Sequence, residues 1–120
     1  KMEVAKIFES EYRFCEILWE HEPVTSSELV RLCNEALEWK KSTTYTVIRR
    51  LSERGVLKSE GAVVTSLISR EDVQSAESAE VVERTFSGSL PSFIAAFARK
   101  KNLSKQEVDE IQKIIDTYKE

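Results

Sequence analysis

Apolar side chains recur at helical spacing along most of the chain and alternate in one short stretch. Phe14, Cys15 and Leu18 share one face of a helix predicted over residues 11–19, with Ser10 as N-cap. His21, Glu22 and Pro23 break it. Thr25-Ser26-Ser27-Glu28 has the form of a capping box, in which Thr25 and Glu28 each serve the other's amide. It opens a second helix, to about Glu38, whose stripe is Leu29, Leu32, Cys33 and Ala36. A link at Trp39-Lys40-Lys41 leads to a third helix, Ser42 to Arg54, ended by Gly55. There Thr44, Val47, Ile48 and Leu51 recur at i, i+3, i+4 and i+7 and predict a buried face. Ser42, Thr46, Arg49 and Glu53 lie opposite, flanked by Thr43, Tyr45 and Arg50. Two β-rich runs follow, residues 56–59 and 63–68, with a turn at Glu60-Gly61 that reads as a hairpin.

Beyond the hairpin the period is helical again. Ser69-Arg70-Glu71-Asp72 caps a helix reaching about Phe86, and Ser87-Gly88-Ser89 breaks it. A short apolar helix then carries Leu90, Phe93, Ile94 and Phe97. Ser104-Lys105-Gln106-Glu107, a second capping box, opens a last helix with Val108, Ile111, Ile114, Ile115 and Tyr118. The expected fold is mainly α: a winged helix-turn-helix of three helices plus a two-stranded wing, with a C-terminal three-helix dimerisation region. The expected domains are residues 1–69 and 70–120. Three short helices seldom bury enough surface to stand alone. Phe86, Leu90, Phe93, Ile94, Phe97, Val108, Ile111 and Ile115 therefore seek another surface. A second copy is the simplest one, since homodimers are the commonest oligomers, and folding back onto the first domain is the alternative.

Charge sharpens this picture. The net charge of the 120 residues is −3, but it is unevenly spread. Residues 1–39 carry four basic and nine acidic side chains. Residues 40–58 carry Lys40, Lys41, Arg49, Arg50, Arg54 and Lys58 against Glu53 alone. Phosphate binding needs such local positive potential, not a basic average. An α-helix fits the major groove, and in a helix-turn-helix the second helix of the motif enters N-terminus first. The leading residues would be Ser42, Thr43, Tyr45 and Thr46, with hydroxyls for bases and phosphates and Thr methyls for a thymine methyl. Arg49 and Arg50 reach phosphate or guanine, and Lys40 and Lys41 precede the helix where free amides also favour phosphate. The wing offers only Lys58 and Ser59 beside an acidic tip, so its expected role is small.

Taken together, EY…LW over residues 11–19, WKKSTTYTVIRRLSERGVL over 39–57, ERTFSGSLPSFIAAF over 83–97 and the closing LSKQEVDEI carry a specific likeness. The chain resembles the penicillinase-repressor family of transcriptional regulators, the group named for BlaI, MecI and CopY. The resemblance implies a homodimer with interlocking C-terminal helices that binds a palindromic operator and blocks transcription. It places Thr43, Tyr45 and Thr46 where members read the major groove, and Arg50 at a position commonly basic and near the backbone. It also implies a protease or membrane-sensor pathway for release. In β-lactam-responsive members an Asn-Phe bond in the second C-terminal helix is cut, and here the matching pair is Ala96-Phe97. Copper-responsive members carry a cysteine-rich C-terminal motif, and this chain has no cysteine after Cys33. The inducing signal therefore stays open.

Other functions find little support in the residues. The single histidine, His21, sits at a helix end, and no Gly-rich phosphate loop or catalytic Ser or Cys motif occurs. One His without a close Cys pair lacks metal-ligand spacing, so neither a metal nor another cofactor is expected. Cys15 and Cys33 are too few and too far apart for a disulfide framework and read as small core residues. No run approaches the roughly 18 apolar residues of a membrane span, and residues 1–7 lack the apolar run of a signal peptide. A cytoplasmic, non-enzymatic protein without membrane insertion is expected. Its rival is a winged-helix adaptor that docks proteins and never touches DNA. The charge contrast of residues 40–58 favours the DNA reading.

Overall fold

The computed structural model describes residues 6–119, so Glu120 and the opening residues up to 5 lie outside the described residues. Elements follow in the order α1 (Glu9–His21), β1 (Val24–Thr25), α2 (Ser26–Leu37), α3 (Lys41–Glu53), β2 (Leu57–Glu60), β3 (Val63–Ser66), α4 (Arg70–Phe86), α5 (Leu90–Lys100) and α6 (Lys105–Asp116). The strands form one antiparallel sheet in the order β1-β3-β2. Three helices and this sheet make a winged helix-turn-helix. The chain divides into two compact units, one up to Glu77 and one from Ser78. The boundary expected from the sequence, between Ser69 and Arg70, is where α4 begins.

The first unit has one core. Phe14 and Leu18 of α1, Leu29 and Cys33 of α2, and Val47, Ile48 and Leu51 of α3 are buried together with Val56, Leu57, Val64 and Val73. These are the predicted helical stripes, except that Leu32 is half-buried and Ala36 is exposed, while Leu37 rather than Ala36 packs against the core in the last turn of α2. Trp19 donates its indole N–H to the Ile68 carbonyl at 3.0 Å and so ties the end of the hairpin to α1.

Several local expectations need correction. Helix α1 starts two residues earlier than predicted, and Ser10 is not its cap. Phe8 holds the N-cap position, and Glu11 accepts its amide at 3.0 Å. The Thr25 hydroxyl accepts the Glu28 amide at 3.1 Å as expected, but the Glu28 carboxylate turns instead to Arg31 (Nε–Oε1 3.1 Å). A guanidinium one turn along the helix outcompetes a neutral amide for the carboxylate. The wing turn falls at Gly61-Ala62, with φ of 57° and 67°, so Glu60 ends β2 rather than opening the turn. Positive φ at both central residues gives a type I′ geometry, which matches the strand twist. Strand β1 was not expected; Val24 and Thr25 pair with Val64 and Val63. Tyr118 lies beyond the end of α6.

One ion pair joins the ends of the first unit's helices. Arg54, the C-cap of α3, donates to both carboxylate oxygens of Glu11 at 3.1 and 2.6 Å and to the Lys6 carbonyl at 2.8 Å. Its guanidinium also lies over the Phe8 ring, 5.7 Å from the centroid. Burial pushes the Glu11 carboxyl up, but hydrogen bonds from Arg54 and the Phe8 amide, with the nearby positive charge, outweigh it and hold the group below its ordinary value. A carboxylate with a lowered native pKa contributes stability above its unfolded value of 4.5 and loses it as pH falls through the native one. Glu11→Gln is expected to cost about 1–3 kcal/mol at neutral pH, from the lost charged hydrogen bonds. It should also flatten the loss of stability below pH 4.5, checked by urea unfolding across the acid range. An unaltered acid limb would show that other carboxylates set it.

Candidate nucleic-acid interface

Helix α3 is built from residues that favour helix poorly. Thr43, Thr44, Thr46, Val47 and Ile48 form a near-continuous β-branched run. The helix stands because Thr44, Val47, Ile48 and Leu51 are buried against the rest of the first unit. Its entry is equally fixed. Glu38 adopts the left-handed conformation (φ 58°), Trp39 donates its amide to Cys33 at 3.3 Å, and Asn34 donates its side-chain amide to the Trp39 carbonyl at 3.1 Å. The Trp39 ring stacks on Phe14, 6.1 Å between centroids and 5° between planes. Gly55, at φ 79°, ends the helix and turns the chain into the wing.

That construction aims one side of α3 outward. Lys40, Lys41, Ser42, Thr43, Arg49 and Arg50 are exposed, and Tyr45 keeps 40% of its surface. Thr46 is half-buried, so it is the most recessed of the predicted face. Lys41 lies over the Tyr45 ring at 6.0 Å from the centroid. The first turn of α3 holds no acidic residue, and its N-cap, Lys40, makes no side-chain cap bond. Among the described residues, the amides there and the positive end of the helix dipole are therefore uncompensated by a side chain. Lys58 lies off this helix, on the wing, and its ammonium is 3.8 Å from the Glu60 carboxylate.

Arg54 separates from the rest of the basic segment. The sequence places it among six cations, but its guanidinium is spent on Glu11. The outward face is therefore less positive than the raw segment. Sequence reasoning also missed Asn34 and Trp39, which set the angle of α3. The readable signal was a large aromatic directly before a lysine pair.

A second surface lies on α5 and α6. Neither helix has a fully buried side chain. Leu90, Ile94, Phe97, Val108 and Ile115 are exposed, while Phe86, Phe93 and Ile111 are half-buried. Phe86 meets Phe93 edge-on at 5.5 Å. An apolar cavity of about 370 Å³ opens between Phe93, Ile94, Phe97, Leu103, Ile111 and Ile114. Ile114 (60% exposed) and Leu103 were not among the residues first assigned to this face.

Both thiols are buried, and burial pushes Cys15 up to about 12 and Cys33 up to about 11. Thiols held that high are poor nucleophiles and ligands at neutral pH. His21 donates from Nδ1 to the Ile17 carbonyl at 2.8 Å and ends α1. Among the described residues no helix is long and apolar enough to cross a membrane.

Comparison with known proteins converges on one group. The chain is 25% identical to the penicillinase repressor of Bacillus licheniformis over 120 residues, covering 97% of this chain and 94% of that protein. It is 23% identical to the methicillin resistance regulatory protein MecI of Staphylococcus aureus (strain Mu50 / ATCC 700699), covering 92% and 94%. In structure it is similar to the DNA-binding domain of the repressor BlaI, with a TM-score of 0.51 and 24% identity over 60% of this chain and 93% of that one. It is also similar to monomeric Bacillus licheniformis BlaI, solved in solution in complex with the blaP half-operator. There the TM-score is 0.52 at 24% identity, covering 58% of this chain and 90% of that one. The family model for the penicillinase repressor matches residues 7–117. The chain thus belongs to the penicillinase repressor family.

Proposed function

We propose that this protein is a sequence-specific, DNA-binding transcriptional repressor that acts as a homodimer on a palindromic operator. The observation that carries the reading is the outward side of α3, where lysines, hydroxyls and arginines are exposed together on a helix locked from behind. The BlaI relative bound to a half-operator supports it. Residues 1–69 would read DNA and residues 70–120 would pair the subunits.

The roles divide by reach and position. Ser42, Thr43, Tyr45 and the recessed Thr46 lie in the N-terminal half of α3 and read base edges in the major groove. Lys40, Lys41 and the uncompensated amides of the first turn hold a phosphate. Arg49 and Arg50, further along, grip the backbone. Lys58 contributes least, because the Glu60 carboxylate screens it from a second anion.

The apolar side of α5 and α6 takes the same side of a second copy. The cavity lined by Phe93, Phe97 and Ile114 receives apolar side chains from the partner, as an isologous interface requires. Release then acts on the paired state. A cut in α5 is one route, although the bond there joins Ala96 and Phe97.

Selecting bound sites from random duplexes at two salt concentrations tests the reading as a whole. The expected sites are two-fold symmetric, with half-sites about one helical turn, roughly 34 Å, or a multiple of it apart. No enrichment at low salt would leave the protein-docking adaptor instead. Alanine at Arg49 or Arg50 should reduce the log–log salt slope by roughly one unit per half-site, with little change in the preferred sequence. If both variants keep the parent slope, neither touches phosphate. Ile115→Asp, at an exposed position of α6, should yield folded monomers in sedimentation and weaken operator binding. A variant that still sediments as a dimer would move the interface elsewhere.

A further inference from the structure

The face of α1 that carries Glu9, Arg13, Glu16 and Glu20 lines a run of depressions that the DNA-binding reading does not use. Three cavities follow one another along it. The first, of about 340 Å³, lies between Glu9, Arg13, Leu37 and Trp39. The second, of about 320 Å³, shares Arg13 and Leu37 with it and adds Glu16, Ile17 and Glu20. The third, of about 520 Å³, shares Glu20 and Arg70 with the second and is floored by Trp19 and Leu67. Shared lining residues set these three adjoining depressions end to end as a shallow groove, parted by the side chains they share, beside a helix of 13 residues, about 20 Å long. No lining residue belongs to α3 or to the wing tip.

The groove has an apolar floor and an acidic rim. Ile17, Trp19, Leu37 and Trp39 are half-buried and supply the floor. Glu9, Glu16 and Glu71 form no salt bridge among the described residues, and Glu20 only approaches His21 at 4.0 Å. Two cations oppose them. Arg13 is also without a salt bridge, and Arg70 is parked over the Trp19 ring, 5.5 Å from its centroid. Carboxylates in excess over an apolar trough complement a peptide with one cationic edge and one apolar edge.

We propose that this groove docks a basic amphipathic segment of a partner protein, while α3 stays free for DNA. The partner's apolar side chains would cover Trp39, Leu37 and Ile17, and its lysines or arginines would pair with Glu9, Glu16 and Glu20. Helix-in-groove recognition of this kind needs anchors at i, i+3, i+4 and i+7, which a 20 Å trough accommodates.

Both tryptophans of the chain line the groove, so the protein carries its own reporter. The probe is a synthetic helical peptide of about 14 residues, leucine on one face and lysine on the other. It should shift the tryptophan emission to the blue in a saturable way. The same peptide with glutamate for lysine should not. Glu16→Gln with Glu20→Gln should weaken lysine-peptide binding roughly three- to tenfold, as expected for two surface ion pairs. Glu77→Gln with Glu80→Gln, an equal charge change at α4 residues that line none of the three cavities, should move it by less than about twofold. The proposal is overturned if the lysine peptide leaves the emission unchanged or if the glutamate peptide does as well. It is equally overturned if the outside pair weakens binding as much, or if the emission tracks protein concentration alone, which would make a second copy the occupant.

Discussion

Everything that α3 offers to solvent depends on the stripe it hides. Thr44, Val47, Ile48 and Leu51 are buried, and this stripe is what holds the helix along its length. Its β-branched residues oppose helix, and its N-cap makes no side-chain bond. Burial of Val, Ile and Leu is worth about 1.5–3 kcal/mol each, more than the few tenths that each poor helix former loses. The hydrophobic term therefore wins, and it does so only with Ser42, Thr43, Arg49 and Arg50 pointing outward. The same stripe sets the rotation of the helix about its axis. Stacking of Trp39 on Phe14 and the Asn34 bond then fix where the helix begins.

Charge is divided with similar economy. Six cations stand in residues 40–58, yet two of them have anionic partners inside the chain. Arg54 is bound to Glu11 at the protected end of α3, and Lys58 is screened by Glu60 on the wing. The unpaired cations are those at the start and middle of the helix. On the repressor reading this concentrates positive potential where the groove is entered and removes it where it would only attract DNA indiscriminately. The acidic face of α1 works in the same sense, because it disfavours the reversed docking of the domain.

The parts of this structure legible in the sequence are those with a period. The stripes of α1, α2 and α3 and the capping residues Thr25, Ser69 and Ser104 were readable because helices repeat and caps have few solutions. Strand β1 was not, since two residues have no period and its partner lies some forty residues away. The wing turn slipped by one residue for a related reason. Glu60-Gly61 and Gly61-Ala62 are both plausible turns, and the register of β2 on β3, with Glu60 opposite Val63, decides between them. Arg54 was invisible as an internal residue because its partner precedes it by 43 positions. The outward residues of α3 could be named from the sequence, but the recession of Thr46 depends on neighbours that only the folded chain supplies.

The second unit poses the opposite problem to α3. Its helices are well capped, at Ser89 and at Ser104, so local structure forms without a deep core. No side chain of α5 or α6 is fully buried, and the apolar residues that would make a core face outward instead. A sequence that caps helices so carefully and then leaves Leu90, Phe97 and Ile114 exposed is consistent with a partner surface rather than with poor packing. Pairing through this unit would make the second half-site contact effectively intramolecular, raising affinity without any new contact to DNA. Loss of pairing would then weaken operator binding even with α3 untouched. On the homodimer reading, a signal would need no access to α3; it would need only to part the second units.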